Sequence, residues 1–198
     1  MTERPLKVLA VVGSLNRAST TRLVVGHVTQ LLQKKGVVVD VLDLLDEPLA
    51  LFSPESSRNA KGFAELKKRV ERADVFFLGT PDYHGCISSA LKNFLDHFWH
   101  EFAGKLFATV VASHEKGLTV TDQLRTVARQ CYAWTLPYGV SFADGVDIKQ
   151  HRISSRALKT RLAILAQDVQ VYGVLLARQR ELDLADEALG FLARHRKH

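Results

Sequence analysis

Apolar positions along the chain fall alternately into short unbroken runs and into longer stretches spaced by three and four residues. Residues 6–12 (LKVLAVV) form a mostly apolar run that stops at Gly13, the pattern of a strand buried on both faces. From Thr21 to Lys35, the residues Leu23, Val24, His27, Val28, Leu31 and Leu32 lie at helical spacing, and Gly36 supplies a stop. The alternation then repeats. Strands are predicted at 37–42, 75–79 and 106–112, and helices at 60–73, 89–102 and 120–131. A short fifth strand is expected within 133–142, interrupted by Pro137 and Gly139. From Ser154 onward the pattern is helical, with a break expected near Leu182-Asp183. Strands alternating with helices of this length imply an α/β fold, a five-stranded parallel sheet with helices on both faces.

Composition narrows the class without changing the picture. At 198 residues, 46% hydrophobic and 24% charged, the chain fits one domain over 1–198, with a helical C-terminal extension from about 183. No apolar run approaches the ~18 residues of a membrane span. The start MTERPLK lacks the apolar core of a signal peptide, so a cytoplasmic location is expected. Cys86 and Cys131 are too few for a disulfide framework, and His97 with His100 has no second ligand pair for a metal. The net charge of +6 comes from basic residues scattered through the periodic segments, with one dense cluster at 194–198. That tail reads as a solvated end, so nucleic acid is not expected as a partner, while a mild positive field suits anionic ligands.

In such sheets ligands bind beyond the carboxyl ends of the strands. After the first strand comes Gly13-Ser14-Leu15-Asn16-Arg17-Ala18-Ser19-Thr20-Thr21, then a helix. A helix N-terminus behind a hydroxyl-rich loop is a phosphate receptor, although Ser and Thr are equally favoured there as plain caps. The loop lacks the glycine spacing of a nucleoside-triphosphate loop and of a dinucleotide fingerprint, leaving a mononucleotide phosphate held by hydroxyls. After the third strand, Thr80-Pro81-Asp82-Tyr83-His84-Gly85-Cys86-Ile87-Ser88 reads as a turn set by Pro81. Gly85 there permits close backbone approach, and Tyr83 offers a flat face to a planar ring.

Together GSLNRASTTRLV and TPDYHGCISSALKNFLDH resemble the NADPH-dependent FMN reductase family, over roughly residues 6 to 170. The resemblance implies a flavodoxin-like three-layer α/β/α sandwich. It implies FMN as cofactor and NADPH or NADH as co-substrate. Ser14, Asn16, Ser19, Thr20 and Thr21 would then surround the FMN phosphate, and Pro81, Asp82, Tyr83, His84 and Gly85 would line the ring and ribityl. Ser113, His114 and Gly117, in the loop after the fourth strand, would reach the ring from the other side. Backbone N–H groups of 82–86 and 113–117 are the expected donors to the reduced ring. Leu91, Lys92, Asn93 and Asp96 are expected to pack and cap.

The sequence departs from the family pattern at Asn16, where many members carry Arg, at His84, where Asn is common, and at the charged 113–117 loop. The implied activity passes hydride from nicotinamide to flavin and on to a small-molecule electron acceptor (quinone, flavin or azo compound). A homodimer or homotetramer is expected, with a neighbouring subunit completing the pocket. The rival class is a non-enzymatic electron shuttle or redox-sensing protein, which the positive charge disfavours. Cys86 as a nucleophile, and His84 or His114-Glu115 as acid and base, are weaker readings. Phe94, Phe98, Trp99 and Phe102 are expected to pack in a core or dimer face.

Overall fold

A computed structural model of the protein describes residues 4–185 and 190–196. The chain runs β1 (Lys7–Val12), α1 (Thr20–Gln33), β2 (Val38–Asp43), α2 (Phe63–Arg72), β3 (Val75–Tyr83), β4 (Cys86–Ile87), α3 (Ser89–Asp96), β5 (Leu106–Ala112), α4 (Leu118–Gln130), β6 (Trp134–Thr135), β7 (Val140–Phe142), β8 (Ile148–Lys149), β9 (Arg152–Ile153), α5 (Arg156–Ala185) and α6 (Phe191–Arg196). Single turns of tighter helix occupy Ser57–Asn59 and His100–Phe102.

The apolar runs of β1, β3 and β5 become the centre of the sheet because each is covered on both sides, while β2 at the edge leaves Val38 and Val41 exposed. Val8, Ala10 and Val12 of β1 share a core with Val24, Val25 and Val28 of α1 and with Leu158, Leu162 and Leu165 of α5. Leu9 and Val11, pointing the other way, join Leu66 and Val70 of α2, Leu91 and Phe94 of α3, and Leu124 of α4. Period-two alternation thus feeds two cores rather than one core and solvent. The strand order is β2–β1–β3–β5–β6, with β1 parallel to both β2 and β3 and β3 parallel to β5. The direction of winding reverses after β1, which places the switch point between the ends of β1 and β3.

The sheet holds seven strands, not the expected five. The fifth position is split: β6 pairs with β5 at Leu106 and Phe107, and β7 pairs with it from Val110 to Ala112. Pro137 lacks an N–H for the ladder, and a Cβ on Gly139 would press against Thr109 Oγ1 at 2.6 Å, so the strand breaks between them. The remaining extra strand, β4, folds back antiparallel on β3. The helix expected over 89–102 stops at Asp96, which leaves Trp99 exposed while Phe94, Phe98 and Phe102 stay buried. At the other end of the chain, α5 continues through Leu182-Asp183 to Ala185, since that stretch holds no Gly or Pro to stop it. His195, from the tail expected to be solvated, stacks on Tyr132 with ring centroids 4.2 Å apart.

Lys105 enters β5 fully buried. Its Nζ donates to the Val70 and Glu71 carbonyls at 2.8 and 3.0 Å, closing the C-terminal turn of α2. Burial lowers its pKa to about 7 from the ordinary 10.5. An unfolded chain keeps that proton up to the ordinary value, so between these limits the unfolded state binds more protons and rising pH favours the fold. Unfolding free energy should therefore climb between pH 7 and 9 by up to about 1 kcal/mol per pH unit. Urea titrations across that range should show the slope in the wild type and its loss in Lys105→Met.

Candidate functional site

The site is built where the ends of β1 and β3 touch. Gly13 N donates to Gly79 O at 2.8 Å, and Ser88 Oγ donates to Gly13 O at 2.5 Å. A Cβ on Gly13 would lie 2.8 Å from that Gly79 oxygen and 2.9 Å from Leu91 Cβ. A Cβ on Gly79 would collide with Val25 Cγ2 and crowd Thr21 Cγ2 at 3.1 Å. Gly79 thus lets α1 lie flat against β3, and Gly13 lets the end of β1 approach β3 and the start of α3.

Within the first loop the hydroxyls divide their tasks. Ser19 is the helix cap, its Oγ accepting from Thr21 N at 3.1 Å and Arg22 N at 3.4 Å. Ser14 Oγ accepts from Asn16 N, and Asn16 Oδ1 accepts from Ala18 N, so both shape the loop from inside. Thr21 Oγ1 is buried with no hydrogen-bond partner. Arg22, not singled out by the sequence reading, braces the loop: Nη1 donates to the Asn16 and Arg17 carbonyls, while Nε and Nη2 grip Asp43. Partial burial alone would raise the pKa of Asp43, but the Arg22 hydrogen bonds outweigh it and hold the carboxyl below its ordinary value. Nothing in the local pattern marks Arg22, because its carboxylate partner sits 21 residues away.

The second segment is a hairpin rather than a turn after Thr80. Strand β3 runs on through Pro81, which pairs with Ala112 on one side while β1 pairing ends at Gly79 on the other. Pro81 therefore stands on a local edge, where a missing N–H is tolerated. His84 and Gly85 form the two-residue tip with φ of 57° and 76°, the doubly left-handed turn that favours Asn-Gly. His84 thus occupies the slot where Asn is common for a backbone reason. Asp82 holds both neighbours: Oδ1 accepts from Gly85 N at 2.8 Å, and Oδ2 accepts from Ser113 Oγ at 2.7 Å. Gln123 of α4 braces the hairpin, accepting from Ile87 N and donating to Gly85 O.

A cleft of about 340 Å³ opens between hairpin and loop, lined by Asp82, His84, Gly85, Ala112, Ser113, His114, Glu115 and Thr119. Five expected site residues (Asp82, His84, Gly85, Ser113 and His114) therefore meet in one place. Gly117 stands behind it as the left-handed residue before α4, packed on Val111, because a Cβ there would lie 2.8 Å from Val111 Cγ1. Tyr83 is 53% exposed beside the cleft and does not line it. Several expected backbone donors are already engaged: Gly85 N by Asp82, Ser113 N by Phe142 O, and Glu115 N by Ser113 Oγ. Leu91 is buried, Lys92 pairs with Asp96, and Asn93 ties the β2–α2 connection through Phe52 N and Ala50 O.

A second cavity, about 510 Å³, lies under the β2–α2 connection. Its Arg69 is already neutralised by Asp40 and Glu47, so it offers an anion little. Among the described residues no helix is long and apolar enough to cross a membrane.

The NADPH-dependent FMN reductase family model matches residues 6–147, most of the chain. The chain belongs to the NADPH-dependent FMN reductase family. It is accordingly an oxidoreductase of an FMN-dependent family that draws electrons from a nicotinamide. A curated relative, the FMN-dependent NADPH-azoreductase of Staphylococcus aureus, is 25% identical over 147 residues, covering 70% of this chain and 78% of its own. Among solved structures, the NAD(P)H:acceptor oxidoreductase FerB of Paracoccus denitrificans superposes with TM-score 0.69 at 16% identity. That match covers 88% of this chain and 98% of FerB. An archaeal flavodoxin superposes with TM-score 0.58 at 12% identity, covering 85% of this chain and 99% of its own, and the fold is flavodoxin-like.

The donor set fits the FMN phosphate. Residues 13–21 carry no carboxylate, α1 presents its N-terminus, and Thr21 has a buried hydroxyl without a partner. Asp82, in contrast, is a strut. Asp82→Ala should lower stability by about 1–3 kcal/mol through two lost hydrogen bonds. Urea unfolding measures the loss, and amide exchange at Gly85 and Glu115 should accelerate with it.

Proposed function

We propose that the protein passes electrons from NADPH or NADH to a quinone, flavin or azo acceptor through FMN seated across the ends of β1, β3 and β5. The partnerless Thr21 hydroxyl at the α1 N-terminus carries this reading. Ser14, Thr20 and Thr21 would hold the phosphate, with Ser19 ordering their helix and Asn16 shaping the loop. The backbone from Pro81 to Gly85 would line the ring and ribityl, held in place by Asp82 and Gln123. Ser113 and His114 close the facing wall, and His114 is exposed where a donor to the ring's carbonyl edge is needed. Gly117 supports that wall from behind. When bound, FMN supplies the two-electron chemistry, so the chain's own task is to bind, orient and leave one ring face open. Arg17 and Lys116, exposed at the rim, are the cations available to a nicotinamide phosphate. A cytoplasmic location suits such a donor.

The decisive measurement is the visible spectrum of protein reconstituted with FMN, before and after NADPH under anaerobic conditions. Bound flavin that bleaches, and steady NADPH oxidation on adding a quinone, are expected. Failure to bind FMN at tens of micromolar overturns the reading, and bleaching only with a separate reductase would make the protein a shuttle. Thr21→Val removes a hydroxyl with no protein partner, so its melting temperature should stay near wild type. Its FMN Kd should nevertheless rise about tenfold, the equivalent of one hydrogen bond.

A further inference from the structure

The cavity of about 510 Å³ under the β2–α2 connection has the dimensions of a small-molecule site. Its apolar walls come from Leu42 of β2, Phe63 and Leu66 of α2, and Leu49 of the connection itself. Phe63 is fixed by stacking on Phe98, with ring centroids 5.7 Å apart and planes 10° from parallel. Asn93 of α3 holds the connection in place, accepting from Phe52 N at 2.8 Å and donating to Ala50 O at 3.0 Å. Asn93 does not itself line the space, so the connection is tethered without its tether filling the room beneath.

Among these walls stands one polar ring. His97 ends α3, and its Nδ1 lies 2.7 Å from Asn93 O. A carbonyl only accepts, so Nδ1 carries the hydrogen, and in the neutral ring Nε2 is then an acceptor. That nitrogen has no hydrogen-bond partner among the described residues. Phe52 packs edge-on against the imidazole at 5.3 Å between centroids, and Phe63 lies 6.1 Å away, which fixes the ring's orientation. Charge around the cavity is balanced. Arg69 is neutralised by Asp40 and Glu47, and Glu65 meets Lys68 at 3.6 Å and Arg72 at 3.9 Å. Lys61 is exposed to water, so the described lining favours no ion.

We infer that this cavity is a second ligand site, which takes a neutral, flat aromatic molecule bearing a hydroxyl, of the phenol or naphthol class. The ring system packs on Phe63, Leu42, Leu49 and Leu66, and the hydroxyl donates to His97 Nε2. An apolar cavity with one fixed acceptor discriminates by that acceptor, because a ligand without a donor leaves the nitrogen dehydrated and unpaired. The cavity shares no lining residue with the cleft between hairpin and loop. It therefore binds its ligand whether or not the cleft is filled.

Isothermal titration of the full chain with 2-naphthol tests the site, with 2-methoxynaphthalene as the same ring system stripped of its donor. One 2-naphthol should bind per chain with a Kd of about 100 µM or tighter. The methoxy compound should bind about tenfold or more weakly, and His97→Phe should erase that difference. In protein labelled with 15N-histidine, the Nε2 resonance of His97 should move on adding 2-naphthol and stay in place with 2-methoxynaphthalene. This second readout needs no variant, so it decides the matter even where His97→Phe fails to fold. No binding of 2-naphthol at 1 mM, equal affinity for the two probes, a preference that survives His97→Phe, or an unmoved His97 resonance would each overturn the assignment. Displacement of 2-naphthol by FMN would put the probe in the cleft and overturn it as well.

Discussion

The close approach of Gly13 and Gly79 is the constraint on which the site depends. Their backbones are joined by a 2.8 Å hydrogen bond, and neither position has room for a Cβ. That contact brings the first two ligand-facing loops side by side, and it lets Thr21 and Val25 of α1 lie directly on β3. The Ser88 hydroxyl adds a third element, donating to Gly13 O while it caps α3 by accepting from Leu91 N. One point thus fixes two helix starts and two strand ends.

Around that point, side-chain hydrogen bonds hold the loops and in doing so remove groups from ligand chemistry. Asp82 spends one carboxylate oxygen on the hairpin tip and the other on Ser113. Arg22 is neutralised by Asp43 and spans the first loop, so the strongest cation nearby is a brace. With these charges bound within the protein and Ser19 taking the Thr21 and Arg22 N–H groups, the unspent Thr21 hydroxyl is what the first loop keeps for a ligand. Departures from the family pattern find their place in the same scheme. His84 fits a left-handed tip, and Asn16 serves the loop's own turn.

At the opposite end of the sheet the demands are purely structural. Lys105 closes the C-terminal turn of α2 from inside the core and lies 5.6 Å from the Phe76 ring centroid. Asp74, equally buried, takes Arg4 through both oxygens and also accepts from Lys7 N. Charged groups buried this deeply persist because each is hydrogen-bonded to a fixed partner. Binding chemistry at the carboxyl ends and tethering at the amino ends divide the molecule along the strand axis.

Local pattern determined the elements. Mostly apolar runs specified the central strands, and the 106–112 run matched β5 to the residue, because burial on both sides leaves no polar alternation to blur the signal. Hydroxyls before an amphipathic stretch located the α1 N-terminus, since capping is a local interaction. The resemblance carried by the two loop motifs pointed to the NADPH-dependent FMN reductase family, to which the chain belongs. What the sequence did not disclose was settled by partners distant along the chain. The extension of β3 through Pro81 required β5 beside it, and the hairpin needed Gln123, 36 residues from the Ile87 that it braces. Which hydroxyl would be spent on the fold and which left over was equally invisible: Ser19 and Thr21 look alike in sequence, yet one caps its helix and the other has no partner. Side-chain identity fixes the capacity to donate or accept, and only the folded neighbourhood decides how much of it remains.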